Sequence, residues 1–144
     1  MKTYLDASFA VSLYSPDANF LHASKTIQAT PSLLVVSDLC VMETTNSFYL
    51  RVFRKDATVA EAQRSQSEFE RDLERGILLR QTMPDRSYAR AQQLTLQYTA
   101  QLGTRGADVL HIAIALELGA DAFFSFDIQQ RKLASTVGLS LNPI

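Results

Sequence analysis

Short apolar runs alternate with helix-patterned stretches along almost the whole chain, and this alternation leaves few folds open. Leu33 to Val36 is the clearest run: four consecutive apolar residues, rich in branching, as expected of a strand buried on both faces. Thr3 to Leu5, Ile77 to Arg80, Ala122 to Phe126 and Leu139 to Leu141 read as further strands. Ala7 to Tyr14 suits a helix or turn. Pro16 and Asp17 start a helix running to about Ala29, and Pro31 stops it. Ser37 or Asp38 caps the next helix, with Leu39, Met42, Asn46 and Leu50 at helical spacing. Thr58 caps another, reaching about Arg75, with Glu61 in the capping-box position and Gly76 as the stop. A helix over Arg86 to about Leu102 follows Pro84. Ala107 to Leu118 is apolar nearly all round, which predicts a central buried helix ended by Gly119. Asp127 opens a last helix to Thr136. The pattern predicts an α/β fold, a mostly parallel sheet of four or five strands with helices on both faces.

A chain of 144 residues, 47% hydrophobic and 20% charged, is sized for one domain spanning 1–144 with one buried core. Its 14 Lys and Arg against 15 Asp and Glu leave a net charge of −1, so nucleic-acid binding has no global basic excess behind it. Cys40 is the single cysteine, which excludes an intrachain disulfide and suits a reducing compartment. The opening MKTYLDAS lacks the apolar run of a signal peptide, and Val109 to Leu116 is too short to span a bilayer. These features together predict a cytoplasmic protein with no membrane partner. There is no Gly-rich phosphate loop, no Cys-x-x-Cys and no Gly-x-Ser-x-Gly elbow.

In open α/β sheets ligands bind beyond the carboxyl ends of the strands. Asp6 follows the first strand directly, and Asp127 follows Ala122 to Phe126. Glu43 lies in the first two turns of the helix after Leu33 to Val36, and Asp108 in the first turn of the apolar helix. Carboxylates brought together repel one another unless they take up protons or a cation joins them. A hard divalent ion with oxygen ligands, Mg²⁺ or Mn²⁺, meets that need. Singly, each acid has a plainer role. Asp127 fits a helix N-cap, Asp108 is favoured by the helix dipole, and Glu43 fits a surface acid. Ser8 and Ser125 stand beside Asp6 and Asp127, where hydroxyls either orient carboxylates or shape turns. His111, one helical turn after Asp108, has only His22 as a second histidine and no cysteine partner, so a hydrogen-bonded core role suits it better than zinc ligation.

The segments YLDAS, LCVMETTNSF, RGADVLHIAIALELGADAFFSFDIQQRKLA and GLSL together resemble PIN-domain ribonucleases, most closely the VapC-type toxins of toxin–antitoxin pairs. The resemblance spans nearly the whole chain and is most specific in its C-terminal third. It implies a PIN-like three-layer α/β/α fold. It implies that Asp6, Glu43 and Asp108 are metal-binding acids, that Asp127 is a fourth and more variable one, and that Ser8 and Ser125 flank the site. It also implies a Mg²⁺- or Mn²⁺-dependent endoribonuclease acting on RNA such as tRNA or rRNA, a homodimer, and a small antitoxin wrapped around the helices after the second strand.

Val41, Phe48, Tyr49, Val52, Phe53 and Phe69 either present a groove to such a partner or pack on one another and the sheet, and packing is the commoner use of aromatics. Arg105, Arg131 and Lys132 are the basic residues near the acids for RNA phosphates; Arg51, Arg54 and Lys55 lie farther off. Two rival readings remain: a catalytically weak PIN-like module that binds RNA or a partner protein, and a receiver-type phosphoacceptor. The second lacks an acidic neighbour for Asp6, and Ser125 stands where it needs a lysine.

Overall fold

The computed structural model describes residues 1–144. Five strands form one sheet: β1 (Lys2–Leu5), β2 (Leu33–Ser37), β3 (Leu79–Gln81), β4 (Ala122–Phe124) and β5 (Ser140–Leu141). Every pairing is parallel and the spatial order is β3-β2-β1-β4-β5. The chain winds outward from β1 to β3, then crosses back and winds outward on the other side. The order therefore reverses between β1 and β4, where Tyr4 pairs with Phe123 and Leu5 with Phe124.

Helices cover both faces, giving the expected three layers. One layer holds α1 (Ala7–Tyr14), α2 (Phe20–Gln28), α3 (Asp38–Phe53) and α4 (Val59–Glu74). The other holds α5 (Ser87–Leu94), α6 (Ala100–Leu102), α7 (Gly106–Glu117) and α8 (Ile128–Thr136). The period-2 alternation of strands separates two cores. Leu5 and Phe124 join Phe9, Phe48 and Phe69 on one face. Tyr4 and Phe123, their neighbours in sequence, join Ile112, Ile114 and Leu133 on the other. No helix is long and apolar enough to cross a membrane.

Local chemistry sets the helix starts. Asp6 caps α1, Ser37 caps α3 and Asp127 caps α8, each accepting from a backbone N–H three residues on. Thr58 and Glu61 form the capping box expected for α4. At the end of α4, Gly76 takes φ 72°, and Ile77 N and Leu78 N both donate to Asp72 O. Their amides are thereby removed from the ladder, so β3 begins at Leu79 rather than Ile77. The helix expected over Arg86 to Leu102 is interrupted by a π-helical turn at Thr95–Thr99. The strand expected to reach Phe126 ends at Phe124, which leaves Ser125 and Phe126 to shape the turn into α8.

The buried stripe of α3 also differs from expectation. It is Cys40, Thr44 and Phe48, whereas Met42 is 59% exposed and Asn46 faces solvent. Apolar residues occur on several sides of α3, so periodicity alone does not select the inner one. Small Cys40 and Thr44 let the helix approach the sheet, and Phe48 meets Phe69 edge-on at 6.0 Å between centroids. The face predicts a sharp contrast. Phe48→Ala should cost about 3–5 kcal/mol by cavity formation, while Met42→Ala should stay within about 0.5 kcal/mol. Urea denaturation midpoints of the two variants check this.

Candidate metal centre

The strand order reverses between β1 and β4, and the carboxyl ends of these strands are where the side chains that leave two neighbouring strands meet. Asp6 stands there, one residue past β1. Its backbone N donates to Phe124 O at 3.1 Å, which extends the β1–β4 ladder and brings Ser125 alongside. The Asp6 side chain is 2% exposed. Its Oδ1 accepts from Ser8 Oγ at 2.7 Å and from Phe9 N at 2.9 Å, and its Oδ2 accepts from Ser125 Oγ at 2.6 Å. Burial raises the Asp6 carboxyl above the ordinary carboxylate range, and the bonds from Ser125, Phe9 and Ser8 oppose that shift.

Both serines combine the two uses open to them on sequence grounds. Ser8 Oγ donates to Asp6 and accepts from Phe126 N at 3.0 Å. Ser125 Oγ donates to Asp6 and accepts from Asp127 N at 2.9 Å. Each hydroxyl thus holds the buried carboxylate and the β4–α8 turn at once.

Asp108 is half-buried in the first turn of α7 and Asp127 is exposed at the start of α8. Gln130, fully buried, links them: its backbone N donates to Asp127 Oδ1 and its Nε2 to Asp108 Oδ1, both at 2.9 Å. Burial raises the Asp108 carboxyl, and the negative charge of Asp127 raises it further. Gln130 escaped the sequence reading; its signal was the position three residues after an N-cap acid, where a side chain points back over the cap.

Glu43 lies in the second turn of α3, with 32% of its side chain exposed, and its Oε1 is hydrogen-bonded to Nε2 of His111. His111 is 2% exposed, as expected of a core histidine, and its Nδ1 lies 2.8 Å from Tyr4 Oη. Arg105 is the exposed residue before α7, and Lys132 is exposed on α8. Arg131 is differently engaged. Its Nη1 donates to Ser125 O and Asn142 Oδ1, and its Nη2 to Asn142 O. It braces the C-terminal segment against the end of β4, and these contacts occupy both Nη atoms.

The donor set suits a hard divalent cation. The site offers carboxylate oxygens, and the ion pairs of the molecule join Arg51 to Asp17, Arg80 to Asp38, and Arg86 and Arg90 to Glu117, while Glu43 is hydrogen-bonded to His111. Asp6, Asp108 and Asp127 have no cationic partner, and two of the three carry raised carboxyl groups. Uncompensated negative charge on buried and half-buried carboxylates favours a cation beside them. No three His, Cys, Asp or Glu groups converge closely enough to cage an ion by themselves. Mg²⁺ needs no such cage, since it is held by one or two carboxylates and keeps several waters.

Comparison with known proteins places this geometry in a family. The PIN-domain family model matches residues 3–135. No curated protein matches the chain by sequence. Among solved structures, VapC20 of Mycobacterium tuberculosis, described as a sarcin–ricin loop cleaving toxin, superposes with a TM-score of 0.71 over 99% of this chain and 100% of its own, at 15% identity. VapBC2 of Rickettsia felis, solved with a promoter DNA fragment, gives 0.68 over 99% and 98%, also at 15% identity. FitAcB of Neisseria gonorrhoeae gives 0.64 over 98% and 96%, again at 15% identity. At such identities the likeness is one of fold, and it extends across the sheet and both helix layers. With the family model matched from β1 into α8, the chain belongs to the PIN-domain family.

Proposed function

We propose that the protein is a metal-dependent endoribonuclease and the toxin of a toxin–antitoxin pair, acting in the cytoplasm on RNA such as tRNA or rRNA. The observation that carries this reading is that Asp6 is tied through Ser125 to the turn bearing Asp127, and Asp127 through Gln130 to Asp108, with no lysine or arginine paired to any of the three. Membership of the PIN family and the toxin folds it resembles support the same assignment.

Asp6, Glu43 and Asp108 would hold Mg²⁺ or Mn²⁺, with Asp127 at the solvent edge. The chemistry supplied by a bound divalent cation is Lewis-acid stabilisation of a phosphodiester and activation of water near neutral pH. The chain's own residues orient the acids. Ser8, Phe9 N and Ser125 fix Asp6, and Gln130 fixes Asp108 against Asp127. These donors are neutral, so they position the carboxylates without cancelling their charge. His111 is buried against Glu43 and is not placed as a base facing solvent. Arg105 and Lys132 supply exposed cations for phosphates, which give affinity and salt dependence rather than sequence choice.

A partner surface lies on α3. Phe48 and Phe69 pack inside, but Met42, Tyr49 and Phe53 are exposed, Phe53 to 83%. This apolar strip is the surface we assign to a helix of the antitoxin, and a homodimer completes the proposed assembly.

Cleavage of total bacterial RNA by the purified protein should require Mg²⁺ or Mn²⁺, stop with EDTA, and fall at least about 100-fold in Asp6→Asn, a loss equivalent to about 2.7 kcal/mol of transition-state stabilisation. RNA binding without metal-dependent cleavage would instead favour the weak binding-module reading. Lys132→Ala should reduce the slope of log K for RNA against log salt by about one, whereas Arg131→Ala should leave that slope unchanged; filter binding across a salt series measures both.

Without metal, the stability of Asp6→Asn relative to wild type should depend on pH, because the variant carries no charge at this buried position. Asn keeps one oxygen to cap α1 but cannot accept from the Ser125 hydroxyl as Oδ2 does, a loss that is the same at every pH. Because the native Asp6 carboxyl is raised, the native state binds its proton more readily than the unfolded chain. Wild-type stability therefore falls as pH rises from the ordinary carboxylate value through the raised one. The stability of the variant relative to wild type should rise over that interval and level off below it, as thermal melts in EDTA across a pH series would show.

A further inference from the structure

Glu43 differs from the other acids in being tied to a chain of buried side chains that the proposed chemistry does not itself use. Ser37 Oγ accepts from Cys40 N at 3.1 Å as the N-cap of α3. The same oxygen lies 2.6 Å from Tyr4 Oη, which lies 2.8 Å from His111 Nδ1. His111 Nε2 then meets Glu43 Oε1. Ser37, Tyr4 and His111 are all buried, so water is not at hand to satisfy a stray proton.

The direction of the chain follows from counting protons. Suppose Ser37 donates to Tyr4, Tyr4 donates to Nδ1, and Nε2–H donates to Glu43. Every hydroxyl and ring proton then has an acceptor. In the reverse direction Tyr4 donates to Ser37, and the Ser37 hydroxyl proton is left buried with no acceptor. A buried hydroxyl proton left without an acceptor is costly. The forward arrangement is favoured, and it selects one imidazole tautomer, with Nδ1 bare and Nε2 protonated.

We propose that His111 is a positioning residue for Glu43, its ring locked by Ser37 and Tyr4 so that Nε2–H holds Oε1 and leaves Oε2 to face the divalent cation. This rests on the reading of Glu43 as a metal ligand. The device spans three parts of the fold. Tyr4 belongs to β1, Ser37 to the β2–α3 junction and His111 to α7. The N-cap that starts α3 therefore also sets the orientation of an acid two turns along it. An imidazole suits the task because it donates without carrying a lysine's or arginine's permanent charge, and its two-ended ring transmits the lock from Tyr4 to Glu43.

Two measurements test the proposal. Long-range ¹H–¹⁵N correlation spectra of the labelled protein, with His22→Gln to assign the two histidines, should show His111 as the Nε2–H tautomer; an Nδ1–H tautomer would overturn the lock. Calorimetric titration with Mn²⁺ alone provides the second. His111→Phe should weaken binding about 10–100-fold, the usual range for losing the partner of a ligand. His111→Gln, whose amide can still donate to Glu43, should recover most of that loss. Tyr4→Phe keeps the ring and its packing, and should weaken binding while admitting the second tautomer in the spectra. Glu43→Gln is the control. If it weakens Mn²⁺ binding and His111→Phe and Tyr4→Phe do not, the positioning role is wrong although Glu43 remains a ligand. If Glu43→Gln itself leaves binding unchanged, the ligand assignment fails and the positioning role with it.

Discussion

A carboxylate buried at the reversal of a parallel sheet is the constraint on which the rest of the site depends. Asp6 lies between β1 and β4, covered by both helix layers, with hydrogen bonds from two serines and one backbone amide but no counter-cation. A buried negative charge is costly, and its raised carboxyl group records that cost. The neighbourhood is arranged around it. Ser8 and Ser125 each reach Asp6 with the hydroxyl proton while their oxygens accept from the turn that leads into α8. Holding the acid and shaping the turn are one piece of geometry, so neither is independent of the other.

The four acids differ in exposure, and a different donor without permanent charge is bonded to each. Hydroxyls hold Asp6, the Gln130 amide holds Asp108, imidazole holds Glu43, and a backbone amide holds exposed Asp127. Such donors fix orientation while preserving negative charge. Arg131 is engaged differently: its guanidinium binds Ser125 O and Asn142 and braces the C-terminal segment.

Much of the architecture was readable before the structure, because its signals are local. The caps at Ser37, Thr58 and Asp127 depend on contacts three residues away, and branched runs such as Leu33 to Val36 mark strands by composition; the cap that Asp6 supplies to α1 has the same local origin but was not singled out. The inner stripe of α3 was harder to identify, since Met42 and Leu39 compete with Cys40 and Phe48 as apolar stripes on the same helix. Ser8 and Ser125 were noticed for their neighbours, yet their double use depends on a turn geometry that no spacing reveals. Gln130 was missed because a lone glutamine on a helix looks like a solvated residue, and only burial between two acids gives it a role.

The sequence by itself determined the elements, their caps and the fact that Asp6 and Asp127 follow strands. Those properties arise from interactions within a few residues, which leave periodic traces in the chain. The tertiary structure decided which strands become neighbours and so which side chains meet. Ser125 bonds Asp6 across 119 positions, and Tyr4 bonds His111 across 107. Contacts of that separation exist because β4 returns beside β1, where the aromatic and branched residues of both strands are covered from two sides. That choice is made by burial summed over two cores, and no single stretch of sequence contains the sum.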